Sequence, residues 1–224
     1  MTTFSSLLQR KEGRVLVLTI NNPGKRNAIA ADLYDNIRAA LGVAADDPDI
    51  GAIVLTGADN YFCAGGDLEL ISKRRELTYE DRIERLGHLH DVVCKLRDFP
   101  KPIVAAVEGG AAGAGFSLAL ACDLLVASTG AAFSIAYVKV GLTPDGGITG
   151  LLAQSLSRQL LTQLALTGDR ITAEQLEHHG VVNKLAEPGQ AGTAAITLAA
   201  RLAQGPCKPW LRSNAVPARP RTHA

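Results

Sequence analysis

The chain has 224 residues, 47% hydrophobic and 20% charged, with 23 Lys+Arg set against 22 Asp+Glu. That suits one well-filled domain, and a net charge of +1 excludes a bulk field that would draw nucleic acid or an anionic membrane. Aromatic residues at 4% argue against stacking platforms for single strands, and the longest uncharged runs, split at Asp123, fall short of the roughly 20 residues a membrane span needs.

Met1–Lys11 has no apolar run behind a basic end, so no secretory signal is read there. The run Arg14–Asn21 is a predicted strand, closed by the turn cluster Asn21-Asn22-Pro23-Gly24. Ala30–Val43 reads as a helix, with Leu33, Ile37, Ala40 and Leu41 sharing one face. A second strand is predicted at Ile50–Thr56 and a long helix at Thr78–Arg97, ended by Pro100 and Pro102. Pro102–Val107 and Leu124–Ala127 read as strands around a small-residue helix, Gly113–Ala121. Helices follow at Gly146–Ser155, Arg158–Thr167, Thr172–His179 and Gln190–Gln204, with a strand at Val181–Leu185. Alternating strands and helices predict an α/β protein. Residues 1–205 form the expected core domain. The tail, 206–224, carries Pro206, Pro209, Pro217 and Pro220 and no acid, so an irregular segment is expected.

Several familiar chemistries fail on spacing. Cys63, Cys94, Cys122 and Cys207 lie far apart without a CxxC pair, which predicts free thiols, no metal and a reducing compartment such as the cytoplasm. Gly113-x-Gly115 has Leu118 where a dinucleotide fingerprint needs its third glycine, and Gly24-Lys25 is followed by Arg26, which rules out a P-loop. His88 and His90 point to different helix faces, and Lys73-Arg74-Arg75 reads as a solvated charge run. Gly115-Phe116-Ser117-Leu118-Ala119 approximates a nucleophile elbow, with Asp145 and His178 or His179 following in hydrolase order, but alanine holds the last place.

Two glycine-rich turns that leave strands carry more. Phe62-Cys63-Ala64-Gly65-Gly66-Asp67 follows the second strand, and Glu108-Gly109-Gly110…Gly113-Ala114-Gly115 follows the third. Small residues there serve tight packing; two such turns could equally aim two backbone N–H groups at one oxygen, an oxyanion hole.

Taken together, Asn21-Asn22-Pro23…Asn27-Ala28, Phe62–Leu68, Lys101-Pro102-Ile103…Cys122-Asp123 and Phe133…Pro144-Asp145-Gly146-Gly147 resemble the enoyl-CoA hydratase/isomerase (crotonase) family over about residues 10–205. The resemblance implies a spiral of ββα units with a helical C-terminal part, assembled as trimers or hexamers. It implies an acyl-CoA thioester as substrate, CoA being part of that substrate and no further cofactor being needed. By position it implies an oxyanion hole from the N–H groups of Ala64 and Ala114. It places the Ala64–Asp67 loop, Leu68, Gly113, Arg26 and Ala28 near the bound CoA. Such family members usually extend as helices well past residue 205, so a shortened helical region and a weaker oligomer are expected here.

The sequence departs from the family's hydratases at both of their glutamates: Ser117 takes the place of the first and Tyr137 of the second. Asp145 stands where several isomerases of the family carry a carboxylate, and AAGAGFSLAL and KVGLTPDGG are most similar to the phenylacetate-degradation isomerase branch. Asp145 is therefore the expected acid/base residue, with a pKa raised by small apolar neighbours. Its plainer role would be to cap a helix beginning at Gly146. An isomerase is the leading expectation. A hydratase or an oxepin-CoA-type hydrolase using Asp145 and water is the alternative, and a CoA-binding homologue of low activity is a third.

Overall fold

The structure is a computed structural model that describes residues 5–73 and 77–205. The predicted tail, 206–224, and Arg74 and Arg75 of the charge run lie outside the described residues. Nine strands and eight helices are defined there: β1 Leu7–Glu12, β2 Val15–Ile20, α1 Leu33–Asp46, β3 Ala52–Gly57, α2 Leu68–Ser72, α3 Tyr79–Arg97, β4 Ile103–Val107, β5 Gly110–Ala112, α4 Ala114–Leu120, β6 Leu124–Ser128, β7 Ala132–Ser134, α5 Ile148–Leu152, α6 Arg158–Thr167, β8 Arg170–Thr172, α7 Ala173–His178, β9 Lys184–Ala186 and α8 Ala191–Leu202. A 3-10 helix spans Ala136–Val140.

The main sheet runs β1-β2-β3-β4-β6-β9, antiparallel at β1–β2 and parallel throughout the rest. Its central strands bury both faces, which is why their sequences are continuous apolar runs without alternation. On one face Leu18, Ile53, Leu55, Ile103 and Ala105 meet α1, α3 and α4 through Ile37, Leu41, Val92, Leu96 and Phe116. On the other, Val15, Val17, Val54, Val104 and Val126 meet Ala191, Ala195, Ala199 and Ala203. Alanines four apart give α8 a flat stripe along which it lies against the sheet. Glu108 fixes its start by accepting the N–H groups of Gly189 (3.1 Å) and Ala191 (2.7 Å). Buried Lys101 donates to the carbonyls of Ala44 (2.6 Å) and Asp47 (2.7 Å) and so satisfies the last turn of α1, which has no basic residue of its own.

A second sheet, β5-β7-β8, is built from three-residue strands. β4 leads into β5 and then α4, and β6 leads into β7 and then the 3-10 helix, so successive turns of chain place one strand in each sheet. Single-residue bridges Cys63↔Ala111 and Ile29↔Gly66 extend this wall past β5. This is the expected ββα spiral.

Some expected elements shift. β1 was not anticipated, because LLQRKE buries only Leu7 and carries no strand periodicity. The predicted helix Gly146–Ser155 contracts to Ile148–Leu152, since both Gly146 and Gly147 take positive φ. The predicted strand Val181–Leu185 pairs only from Lys184; the N–H groups of Val181 and Val182 turn back to the Leu176 carbonyl at the end of α7.

Candidate active site

The two glycine-rich turns leave the carboxyl ends of neighbouring parallel strands, β3 and β4, and meet. Gly65 makes this possible. Its φ is +87°, and a methyl group on it would stand 2.6 Å from the Ala112 carbonyl oxygen and 3.4 Å from the Ala114 nitrogen. Gly115 is equally tight against the first turn, where a methyl would lie 2.5 Å from the Cys63 carbonyl oxygen. Cys63 is buried, its thiol pushed up to about 12 by desolvation, although it accepts the Gly65 N–H. It is packing material rather than a nucleophile.

A third segment braces the first turn. Asn27, buried and at φ +55°, donates to the carbonyls of Ala58 (2.8 Å) and Tyr61 (2.7 Å) and accepts the Asn22 N–H (3.0 Å). Asn22 in turn donates to the Ala28 carbonyl at 2.7 Å. The motif residues Asn22 and Asn27 therefore hold the Pro23–Ala28 turn against the Ala58–Tyr61 loop. That turn presents the Arg26 carbonyl, which accepts the Ala64 N–H at 3.0 Å.

This bond alters the expected oxyanion hole. The Ala64 N–H already has an acceptor within the protein. Among the described residues the N–H of Gly66 has none, and neither has that of Ala114, the first residue of α4. Both residues line one cavity of ≈ 100 Å³. The spacing of the motif gave no sign of which N–H in Ala64-Gly65-Gly66 is left over.

The same cavity is lined by Gly65, Leu68, Gly113, Tyr34, Ile71, Arg85, Leu86, Leu89, Val140 and Leu142, and by Tyr137 and Asp145. Of the residues the resemblance implies for CoA, Ala64, Gly65, Gly66, Leu68 and Gly113 line this cavity. Arg26, Ala28 and Asp67 do not contribute to this lining. The Arg26 guanidinium sits 5.7 Å from the Tyr61 ring centre, and Ala28 is buried. Asp67 caps α2 through Glu69 N–H (2.9 Å) and pairs with Lys25 at 2.9 Å. Burial works to raise the Asp67 carboxyl, yet Lys25 and the capping N–H groups outweigh it and hold the group below its ordinary range. Lys25 also meets Glu69, and both carboxylates push it above its ordinary value.

Ser117, Tyr137 and Asp145, 28 residues apart at their ends, converge. The Tyr137 hydroxyl donates to Asp145 Oδ1 at 2.7 Å. Ser117 Oγ lies 3.4 Å from the Tyr137 hydroxyl and 3.3 Å from the Asp145 carbonyl oxygen. Desolvation first, then the Asp145 charge, push Tyr137 upwards, so its hydroxyl keeps the proton it donates. α5 has Gly147 as its N-cap, and the Asp145 backbone carbonyl accepts the N–H of Ile148, the first residue of that helix, at 3.3 Å. Among the described residues of the cavity lining, Asp145 is the only acidic one and Arg85 the only basic one. No group of His, Cys, Asp and Glu among the described residues could hold a metal ion, and no described helix is long and apolar enough to cross a membrane.

Comparison with known proteins agrees with this fold. The enoyl-CoA hydratase/isomerase family model matches residues 10–210. A probable enoyl-CoA hydratase of Mycobacterium tuberculosis is 36% identical over 96% of this chain and 82% of its own. A 2,3-dehydroadipyl-CoA hydratase of Escherichia coli is 35% identical over 89% of this chain and 76% of its own. Among solved structures, an enoyl-CoA hydratase from a Polaromonas species is 40% identical with a TM-score of 0.91, covering 94% of this chain and 82% of that one. With its spiral fold, its paired turns and a match over most of its length, the chain belongs to the enoyl-CoA hydratase/isomerase (crotonase) family.

Proposed function

We propose that the protein is an isomerase of acyl-CoA thioesters, shifting a double bond or rearranging a ring through an enolate. The N–H groups of Gly66 and Ala114 would hold the thioester oxygen, and Asp145 would move the proton. The observation that carries this reading is the pairing, in one cavity and among the described residues, of two unspent backbone donors with a single carboxylate. Removing a proton beside a thioester builds negative charge on its carbonyl oxygen, which two preorganised donors stabilise. One carboxylate can take that proton from one carbon and return it to another. Hydration asks more, because water must be held and deprotonated while a proton is delivered elsewhere. Ser117 and Tyr137, in place of the hydratase glutamates, carry no carboxylate for that work.

The finer assignment to phenylacetate-type ring-epoxide and enoyl substrates rests on the two sequence stretches around Ser117 and Asp145. A second reading, hydration or ring hydrolysis with Asp145 and water, is favoured by the names of the relatives described above. Incubating the protein with a panel of 2-enoyl- and 3-enoyl-CoA thioesters, followed by mass and ultraviolet absorbance, separates the readings. Double-bond migration at constant mass supports the isomerase. Gain of the mass of water supports the hydratase. Saturable binding with neither reaction returns the protein to a CoA-binding homologue.

A further inference from the structure

The Asp145 carboxylate does not stand alone in the cavity, and its neighbour is a residue with no established part in the chemistry. Tyr137 is buried, at 6% exposure, and its hydroxyl donates to one named oxygen, Oδ1, at 2.7 Å. We propose that Tyr137 is a positioning residue that fixes the orientation of the Asp145 carboxylate through this bond before the acyl group arrives. The proposal rests on the reading of Asp145 as the base, and it goes beyond that reading by naming what orients and tunes it.

The argument is one of donor accounting. A hydroxyl has a single proton to give, and here the short contact is to Oδ1. The Tyr137 contacts to Ser117 Oγ and the Asp145 carbonyl oxygen, both 3.4 Å, are too long to compete. Ser117 Oγ is in turn within reach of the Gly113 carbonyl at 3.5 Å and the Asp145 carbonyl at 3.3 Å, so it supports the pair without entering it. A hydrogen bond to the charged form favours that form, and a bond donated to a carboxylate is roughly twice as strong as one between neutral groups. The cavity is lined mainly by apolar side chains and backbone, where burial alone would favour the neutral acid. Tyr137 opposes that tendency. Other polar or charged groups face the pair: Tyr34 from α1, which disfavours ionisation of Tyr137, Arg85 from α3 and Ser117 from α4. Lys139, on the same 3-10 helix, lies instead against Gly168.

The consequence is a base held in one orientation by a buried donor. The test is Tyr137→Phe, which keeps the buried ring and removes the donor. With an enoyl-CoA that the parent isomerises, the acid limb of the kcat/KM profile is expected to move up by about one pH unit. kcat at neutral pH should fall about tenfold while KM changes less than threefold. Ser117→Ala is the control and should leave the limb in place. Because turnover depends on the proposed activity, the same pair of variants is also read by 13C NMR titration of the Asp145 carboxyl, which needs no substrate. An upward move of that titration in Tyr137→Phe alone supports the positioning role even where no reaction is found. An unmoved titration, or an equal move in Ser117→Ala, overturns it.

Discussion

The Arg26 carbonyl accepts the Ala64 N–H at 3.0 Å, so a donor that the sequence pattern offers for catalysis is used to brace the loop that carries its neighbour. Among the described residues of the two turns, the N–H groups of Gly66 and Ala114 are left without an acceptor, and the first prediction concerns them. Ala114 is the first residue of α4, a position where proline fits and where its missing N–H breaks no helical bond. Ala114→Pro is therefore expected to fold and to lose about 10²- to 10³-fold in kcat. Replacing the backbone amide by an ester separates the two loop positions: at Gly66 it should cost rate, and at Ala64 it should lower the unfolding midpoint. Near-normal turnover in the proline variant would show that no oxyanion is bound there.

The meeting of the turns depends on Gly65. A methyl group there is strained by φ +87° and blocked at 2.6 Å by the Ala112 carbonyl, a backbone atom that cannot swing aside. Gly65→Ala is expected to destabilise the fold by about 1–3 kcal/mol, measured by urea unfolding. It should also reduce kcat at temperatures where the variant is fully folded, because the two turns can no longer approach. Loss of stability with kcat intact would mean that the spacing of the turns does not matter to the reaction.

The Lys25–Asp67 pair tests the electrostatics of the loop just beyond. Asp67 is held below its ordinary range when folded, so the unfolded chain takes up its proton first. The carboxylate's contribution is therefore complete above the ordinary carboxylate range and is lost as pH falls towards the lower folded value. Asp67→Asn keeps a capping oxygen for Glu69 and removes the charge. We expect it to cost up to about 1 kcal/mol at neutral pH, the difference shrinking as pH falls below the ordinary carboxylate range. A constant difference across that range would assign the effect to packing.

Much of the scaffold was legible because its strands and helices follow simple periods. α1 buries Leu33, Ile37, Ala40 and Leu41 as their spacing requires, and α6 spans Arg158–Thr167 between its Ser157 cap and Gly168. The second sheet was not legible. Gly110–Ala112, Ala132–Ser134 and Arg170–Thr172 are too short to express any period, and their pairing is set by the main sheet that carries them. The same limit applied to the site. The residues themselves pointed to both glycine turns, and the family resemblance to Ser117, Tyr137 and Asp145 at functional positions. Nothing in it showed that the Ala64 N–H turns towards Arg26, or that Tyr137 reaches Oδ1 of Asp145. Those facts belong to backbone direction and side-chain rotamer, which long-range packing decides.

The last prediction is that Asp145 carries the proton. Its side chain accepts from Tyr137 at 2.7 Å, and the N-cap of α5 is Gly147. Asp145→Asn keeps the size of the group and an oxygen to accept the Tyr137 hydrogen bond, but it cannot take a proton at working pH. The amide also removes a charge from a mostly apolar cavity, so stability should change little or rise slightly. We expect a melting temperature within a few degrees of the parent, unchanged affinity for a non-reacting acyl-CoA, and a fall in kcat of roughly 10²-fold or more. Exchange of the substrate's α-proton with solvent deuterium should fall in parallel, since it reads proton removal without requiring the later return. A folded, ligand-binding Asp145→Asn protein with kcat and exchange within a few-fold of the parent would take the base out of Asp145. The proton would then have to reach another group of the lining, and Arg85, Tyr34 and Tyr137 are poor acceptors at neutral pH. The single-carboxylate isomerase would fall with it.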